Sequence, residues 1–208
     1  DNGAGKSTLI KILSGAHQQD TGDLFFENKK VVFKSTKDAM KLGIETIYQY
    51  SALIPQMSIS RNIFIGREST NMNIGNIGIM KKKEMEEAAV KALNDVGLKL
   101  RSPNTPVNLL SGGERQGVVI ARAMYFKSKF LILDEPTNHL SFKETNKVLD
   151  FVAGLKEQGV TSIFITHNLN HVFPIADHLC VMARGEKIAD LQKENTDIQE
   201  LTNLLVNG

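Results

Sequence analysis

Short apolar runs alternate along this chain with longer segments of helical periodicity. Leu24-Phe25-Phe26, Val31-Val32-Phe33 and Ile44-Glu45-Thr46-Ile47-Tyr48 read as strands, with a helical stretch over 38–42 before the third. Further strands are expected at Phe130-Leu131-Ile132-Leu133, Ser162-Ile163-Phe164-Ile165 and Leu179-Cys180-Val181-Met182, with helices over 114–125 and 143–158 between them. This alternation predicts an α/β core built on a mainly parallel sheet. Residues 58–96 depart from it and read as mostly helical. There Met85, Ala88, Ala92 and Val96 recur at spacings of three and four, the mark of one apolar helix face. Residues 71–80, rich in Asn, Gly and Ile, read as a flexible connection between helices. Thr196 and Gln199 stand in capping-box spacing before Leu201, Leu204 and Leu205, which predicts a packed terminal helix. The expected organisation is one domain, with a core of residues 1–55 and 111–208 and an inserted helical lobe of 56–110.

Composition changes this picture in three ways. A net charge of +2, with no basic stretch interleaved with aromatics, argues against a nucleic-acid partner. No apolar run approaches the roughly 18–20 residues that span a bilayer, so a membrane role would come through a partner. Cys180 is the only cysteine and cannot form an internal disulfide. Its apolar neighbours predict a buried, inert strand residue in a reducing compartment. The Lys81-Lys82-Lys83 run is expected to be the solvated start of a helix.

Chemistry enters at the first residues. Asp1-Asn2-Gly3-Ala4-Gly5-Lys6-Ser7-Thr8 runs into the apolar helical pattern that starts at Leu9. Gly5-Lys6-Ser7 matches the end of the phosphate-loop pattern G-x-x-x-x-G-K-[ST], whose opening glycine would fall one position before Asp1. Backbone N–H groups from Asn2, Gly3, Ala4, Gly5 and Thr8 would wrap phosphate oxygens at a helix start. Lys6 would neutralise the β- and γ-phosphates, and the Ser7 hydroxyl would ligate Mg²⁺. The second element is the run Phe130-Leu131-Ile132-Leu133-Asp134-Glu135, a buried strand delivering two carboxylates at its C-terminal end, where open α/β sheets bind ligands. Asp134 would hold Mg²⁺ through water and Glu135 would polarise the attacking water. The third element, Leu110-Ser111-Gly112-Gly113-Glu114-Arg115-Gln116, offers a second anion site at a helix start. One nucleotide does not need two such sites in one chain, whereas two chains facing head to tail would use both.

LSGGERQ resembles the signature sequence of the ABC ATPase family, and the resemblance extends over essentially the whole chain. It implies two ATP molecules sandwiched between the phosphate loop of one subunit and the signature of the other, in a homodimer or a heterodimer. Ser111, Gly112 and Gly113 would then bind the nucleotide of the opposite subunit, with Ser111 and Gly113 on its γ-phosphate. Gln49 resembles the family's Q-loop glutamine, which senses Mg²⁺ or the attacking water, and His167 resembles its switch histidine. The roughly one hundred residues between phosphate loop and signature leave no room for the long coiled coils of chromosome-maintenance relatives.

Asp134-Glu135-Pro136-Thr137-Asn138-His139-Leu140 is similar to the wording of ABC ATPases acting on ribosomes, but Ser141 stands where that class, and many transporters, carry Asp. Residues 33–49, 57–68 and 167–190 resemble the sugar-uptake ATPases instead. The resemblance implies an ATP- and Mg²⁺-dependent importer subunit on the cytoplasmic face of the cell membrane. Its partners would be a permease and, indirectly, a periplasmic or surface solute-binding protein. The alternatives are a ribosomal factor and an importer of a non-sugar solute. Residues 49–57, Leu53 among them, are expected to form the apolar contact with the permease. The family pattern also implies roughly thirty residues upstream of Asp1, including a strand and an aromatic residue that stacks on adenine.

Overall fold

The computed structural model describes residues 3–48, 53–74, 77–99 and 102–207. Two compact units emerge, one of Asp1–Thr46, Lys129–Pro136 and Val152–Gly208 and one of Ile47–Ser128 and Thr137–Phe151. In the first unit, helix α1 (Lys6–Leu13) leads to strands β1 (Leu24–Phe26) and β2 (Lys29–Val31), an antiparallel hairpin. Its turn residues Glu27 and Asn28 have φ of 49° and 62°, as a two-residue type I′ turn requires. The second strand therefore starts at Lys29 rather than at Val31, and the ladder ends where Leu24 meets Val31. Phe33 is buried beyond the ladder and Val32 is exposed.

After the short helix α2 (Thr36–Lys41), strand β3 (Ile44–Ile47) joins β6 (Phe130–Asp134) and β7 (Thr161–Ile165) in a sheet of order β3-β6-β7. Strand β6 lies in the middle, and Leu131, Ile132 and Leu133 have no exposed surface. Burying each such side chain stabilises by about 1.5–3 kcal/mol, which fixes the strand that ends in the carboxylates. Strands β6 and β7 run parallel in a register that sets Asp134 beside Ile165, so both strands end at one sheet edge. The α/β expectation holds.

Strands β8 (His178–Ala183) and β9 (Glu186–Gln192) form a second antiparallel hairpin, packed with helices α7 (Leu169–Val172) and α8 (Ile198–Asn207). Leu179 and Val181 join Leu201 in a small core that also takes in Leu169, Phe173 and Leu204. Strand alternation then turns Cys180 outward, so it is exposed, contrary to the expectation of burial. The thiol pKa is pushed up, first by partial desolvation and then by the Asp190 carboxylate across the ladder. The expected Thr196–Gln199 capping box does not form. Asp197 accepts from the Glu200 N–H at 2.8 Å instead, the Thr196 hydroxyl donates to the Glu200 carboxylate, and Gln199 turns to Asn203.

Gly15 closes α1 at φ 71°, where a Cβ would lie 2.6 Å from the Ser35 carbonyl oxygen and 2.9 Å from the Phe33 Cβ. The close neighbours include backbone, so little can yield. Gly15→Ala is expected to destabilise by about 2–4 kcal/mol, lowering Tm by ~5–12 °C. A thermal melt that shifts by less than about 2 °C would show that the 33–35 segment gives way more easily than its backbone contact implies.

The second unit holds α3 (Ile59–Phe64), β4 (Thr70–Ile74), β5 (Ile77–Met80), α4 (Lys82–Asp95), α5 (Gly112–Tyr125) and the start of α6 (Phe142–Glu157). Strands β4 and β5 pair antiparallel where a loop between helices was expected. The missed signal was Gly75-Asn76, a two-residue hairpin dipeptide between β-branched residues, although those two positions lie outside the described residues. Helix α4 starts at the lysine run as anticipated. Its buried stripe is Met85, Ala89, Ala92 and Leu93, rotated from the Ala88 and Val96 of the sequence pattern. Asn62 has no exposed surface and staples the segment before α3. Its side chain accepts from the Ile54 N–H and donates to the carbonyls of Ile54, Met57 and Ser58. Leu53 is buried, 8% exposed, and therefore cannot be an apolar docking contact on the surface; Ile54, at 38%, is the outward neighbour. Among the described residues, no helix is long and apolar enough to cross a membrane.

Candidate active site

Asn2 and Gln49 lie outside the described residues. The remaining loop residues form a turn that delivers the chain into α1. Gly5 is its N-cap at φ 90°, a left-handed conformation that costs a side chain steric energy and a glycine almost none. Space adds to that demand, because a Cβ on Gly5 would sit 3.2 Å from the Gly185 Cα. Gly185 belongs to the β8–β9 turn, and its N–H donates to the Ala4 carbonyl at 3.3 Å. The hairpin thus braces the buried Ala4 while Ser7 and Thr8 remain exposed on the first turn of the helix. A helix start supplies backbone N–H groups and positive partial charge, which suits an anion.

At the end of β6 the structure brings Asp134, Glu135, Lys6 and His167 together. The Asp134 pKa is raised, chiefly by burial and next by the Glu135 charge, while Lys6 pulls it down. Two neighbouring carboxylates with one ammonium group leave a site that a cation would stabilise, so the donor set of Asp134 and the exposed Ser7 hydroxyl fits Mg²⁺. Glu135 has φ 49°, left-handed backbone that a non-glycine residue adopts at a cost of about 1–3 kcal/mol. Its N–H donates to the Ile165 carbonyl at 2.9 Å, and its Oε1 lies 2.9 Å from His167 Nδ1. The strained backbone aims the carboxylate away from the strand and onto a histidine delivered by the end of β7.

In the second unit, Ser111 is the N-cap of α5. Its hydroxyl accepts from the Glu114 N–H, and the Glu114 carboxylate accepts from the Ser111 N–H, a complete capping box. Gly112 is packed closely, with a notional Cβ 3.0 Å from Leu140 Cδ2. Gly113 donates its N–H to Glu144 Oε1 at 2.9 Å. The other Glu144 oxygen accepts from the Ser141 N–H and hydroxyl. These donors, Gly113 first and Ser141 next, hold the Glu144 pKa down to about 2. Glu144 was not singled out in the sequence. The spacing Ser141-x-x-Glu144 is itself a capping box for α6, which gives Ser141 a structural use at the position where the related wording carries Asp.

Comparison with known proteins gives a consistent result. The family model described as ABC transporter matches residues 1–138. The xylose/arabinose import ATP-binding protein of Sulfolobus acidocaldarius is 48% identical over 207 residues, covering 100% of this chain and 80% of the relative. The fructose import ATP-binding protein of Rhizobium meliloti is 42% identical over 196 residues, covering 90% of this chain and 74% of the relative. A nucleotide-free ATP-binding cassette from an ABC transporter superposes with a TM-score of 0.82 at 30% identity, covering 99% of this chain and 81% of that structure. This chain belongs to the ABC transporter family and has the fold of its ATP-binding cassettes.

Proposed function

We propose that this chain binds and hydrolyses ATP to drive import of a sugar through a membrane permease. The observation that carries the ATPase part is the convergence of Lys6, Asp134, Glu135 and His167 at one end of the sheet. The sugar part rests on the two import proteins that the chain resembles over nearly its whole length.

In this reading the N–H groups of Asn2, Gly3, Ala4, Gly5 and Thr8 cradle the phosphates, and Lys6 neutralises charge on the β- and γ-groups. Ser7, Gln49 and Asp134, the last through water, hold the metal. When bound, Mg²⁺ supplies further neutralisation of the charge that builds up on the phosphates. Glu135 orients and polarises the attacking water, and His167 holds the Glu135 carboxylate in place beside the γ-phosphate. Ser111, Gly112 and Gly113 serve the nucleotide of a second subunit, identical or related. Closure of two such subunits would draw their lobes together, residues 56–110 of each, and move the permease. A solute-binding protein outside the membrane would deliver the sugar.

The deciding experiment is uptake of labelled pentoses and hexoses into vesicles holding the cognate permease and this subunit. ATP-dependent sugar uptake supports the proposal. No uptake, together with ATPase activity stimulated by ribosomes, would overturn it. The coupling surface has its own test. Ile54→Asp places a carboxylate on the exposed residue beside the Asn62 staple and should weaken permease docking by ~1–2 kcal/mol, about tenfold. The melting shift that Mg-ATP gives the isolated subunit should persist. Unchanged docking would move the permease contact elsewhere on the lobe.

A further inference from the structure

The Gly113 amide has two claimants. The proposed trans role directs it to the γ-phosphate held by a second copy of the chain, yet in this structure it is donated to Glu144 Oε1 at 2.9 Å. One N–H serves one anion well. We propose that Glu144 is a positioning residue that stands in for this phosphate, holding the Gly113 N–H until the triphosphate on the second copy displaces it. This inference rests on the trans reading of the signature given above.

Three observations support it. First, the fit is built in, because a Cβ on Gly113 would lie 2.7 Å from Glu144 Cγ and 2.9 Å from Oε1, so any side chain there would push the carboxylate aside. Second, the carboxylate is the kind of ligand that a helix start attracts, and it also sits within reach of the Ser111 hydroxyl, the other group expected on the phosphate. Third, the stand-in is permanent in charge: with its pKa near 2 it remains anionic at any pH at which the protein would work. Release is therefore not a protonation event but an exchange of one anion for another. Moving Glu144 aside also breaks its bonds to the Ser141 N–H and hydroxyl. Arrival of the phosphate at α5 is thereby felt at the first turn of α6.

The sign of one measurement separates this role from a merely structural one. In the complete protein carrying Glu135→Gln to stop turnover, the ATP concentration that gives half-maximal dimer is read by sedimentation. Glu144→Gln keeps size and shape but replaces a charge-assisted bond with a neutral one, and should lower that concentration about tenfold. If Glu144 only capped α6, its loss would loosen the turn and raise the concentration or leave it unchanged, and either result overturns the proposal. Glu144→Asp is the second variant, should the first fold poorly. Its shorter side chain keeps the charge near Ser141 but withdraws from Gly113, and it too should lower the concentration. Ser111→Ala serves as the control for the reading beneath. It should raise the ATP requirement whether or not Glu144 competes. If it raises the requirement while neither Glu144 variant lowers it, the stand-in role alone is wrong. If Ser111→Ala has no effect, the trans reading falls and the stand-in role falls with it.

Discussion

Glu135→Gln should reduce single-turnover ATP hydrolysis by ~10²–10⁴-fold, the usual contribution of a positioned general base. The amide has the shape of the carboxylate, so it can remain at the end of β6 and keep the 2.9 Å contact to His167. It cannot accept a proton from water near neutral pH. The left-handed backbone at Glu135, with φ 49°, belongs to both side chains equally and should not add a folding defect. Rapid-quench measurement of one turnover, alongside the Mg-ATP melting shift, separates chemistry from binding. A rate within about threefold of the parent would remove Glu135 from the reaction and leave His167 or Asp134 as the group to examine.

The second large effect concerns which subunit a signature mutation disables. Gly113→Asp adds a carboxylate where the notional Cβ already lies 2.7 Å from Glu144 Cγ, so it brings both a clash and like-charge repulsion. Mixed dimers can place that lesion in two ways relative to Lys6→Ala. With Gly113→Asp in one subunit and Lys6→Ala in the other, one nucleotide site carries both lesions and the other carries none. About half the activity per dimer should survive, since the two sites of a symmetric pair are equivalent. With both changes in one subunit and none in the other, each site carries one lesion and activity should be lost. The reverse pattern, loss in the first arrangement and about half the activity in the second, would mean that the signature acts within its own chain. Gly113→Ala repeats the clash without the added charge and shows how much of the loss is steric.

The chemistry of this chain was more legible than its surface. Lys6, Asp134 and Glu135 could be named because each proposed role demands a particular side chain at the end of an apolar run or a glycine turn, whereas His167 was named only through the family resemblance. The structure then brings these residues together. The central strand was equally plain, since four consecutive apolar residues read as a buried strand, and its acidic end took its meaning from being paired with the phosphate loop in the sequence pattern. What was missed depended on pairing rather than on period. The β4–β5 hairpin is short, and its Met and Ile residues lie scattered among Asn and Gly, so its strands read as a connection rather than as apolar runs. Cys180 shows the opposite error. Its neighbours are apolar, but only one face of β8 is covered, and an unbroken apolar run conceals that alternation. Leu53 was placed on the surface because function was expected there, whereas its apolar side chain found the interior. Glu144 could not be assigned from sequence, since its 31-residue reach to Gly113 is a tertiary fact, although its pairing with Ser141 was readable.

The outward turn of Cys180 has a practical consequence. It is the only thiol among these 208 residues, and it stands on the strand whose far end turns at Gly185 against the phosphate loop. A maleimide fluorophore or a nitroxide can therefore be attached to one defined place without first removing other cysteines from this segment. Because burial and Asp190 both disfavour the thiolate, labelling should be slow at neutral pH and quicken as the solution is made alkaline. A probe at that position would sit on the same hairpin that braces Ala4 and would report nucleotide arrival through a rigid element rather than through a loop.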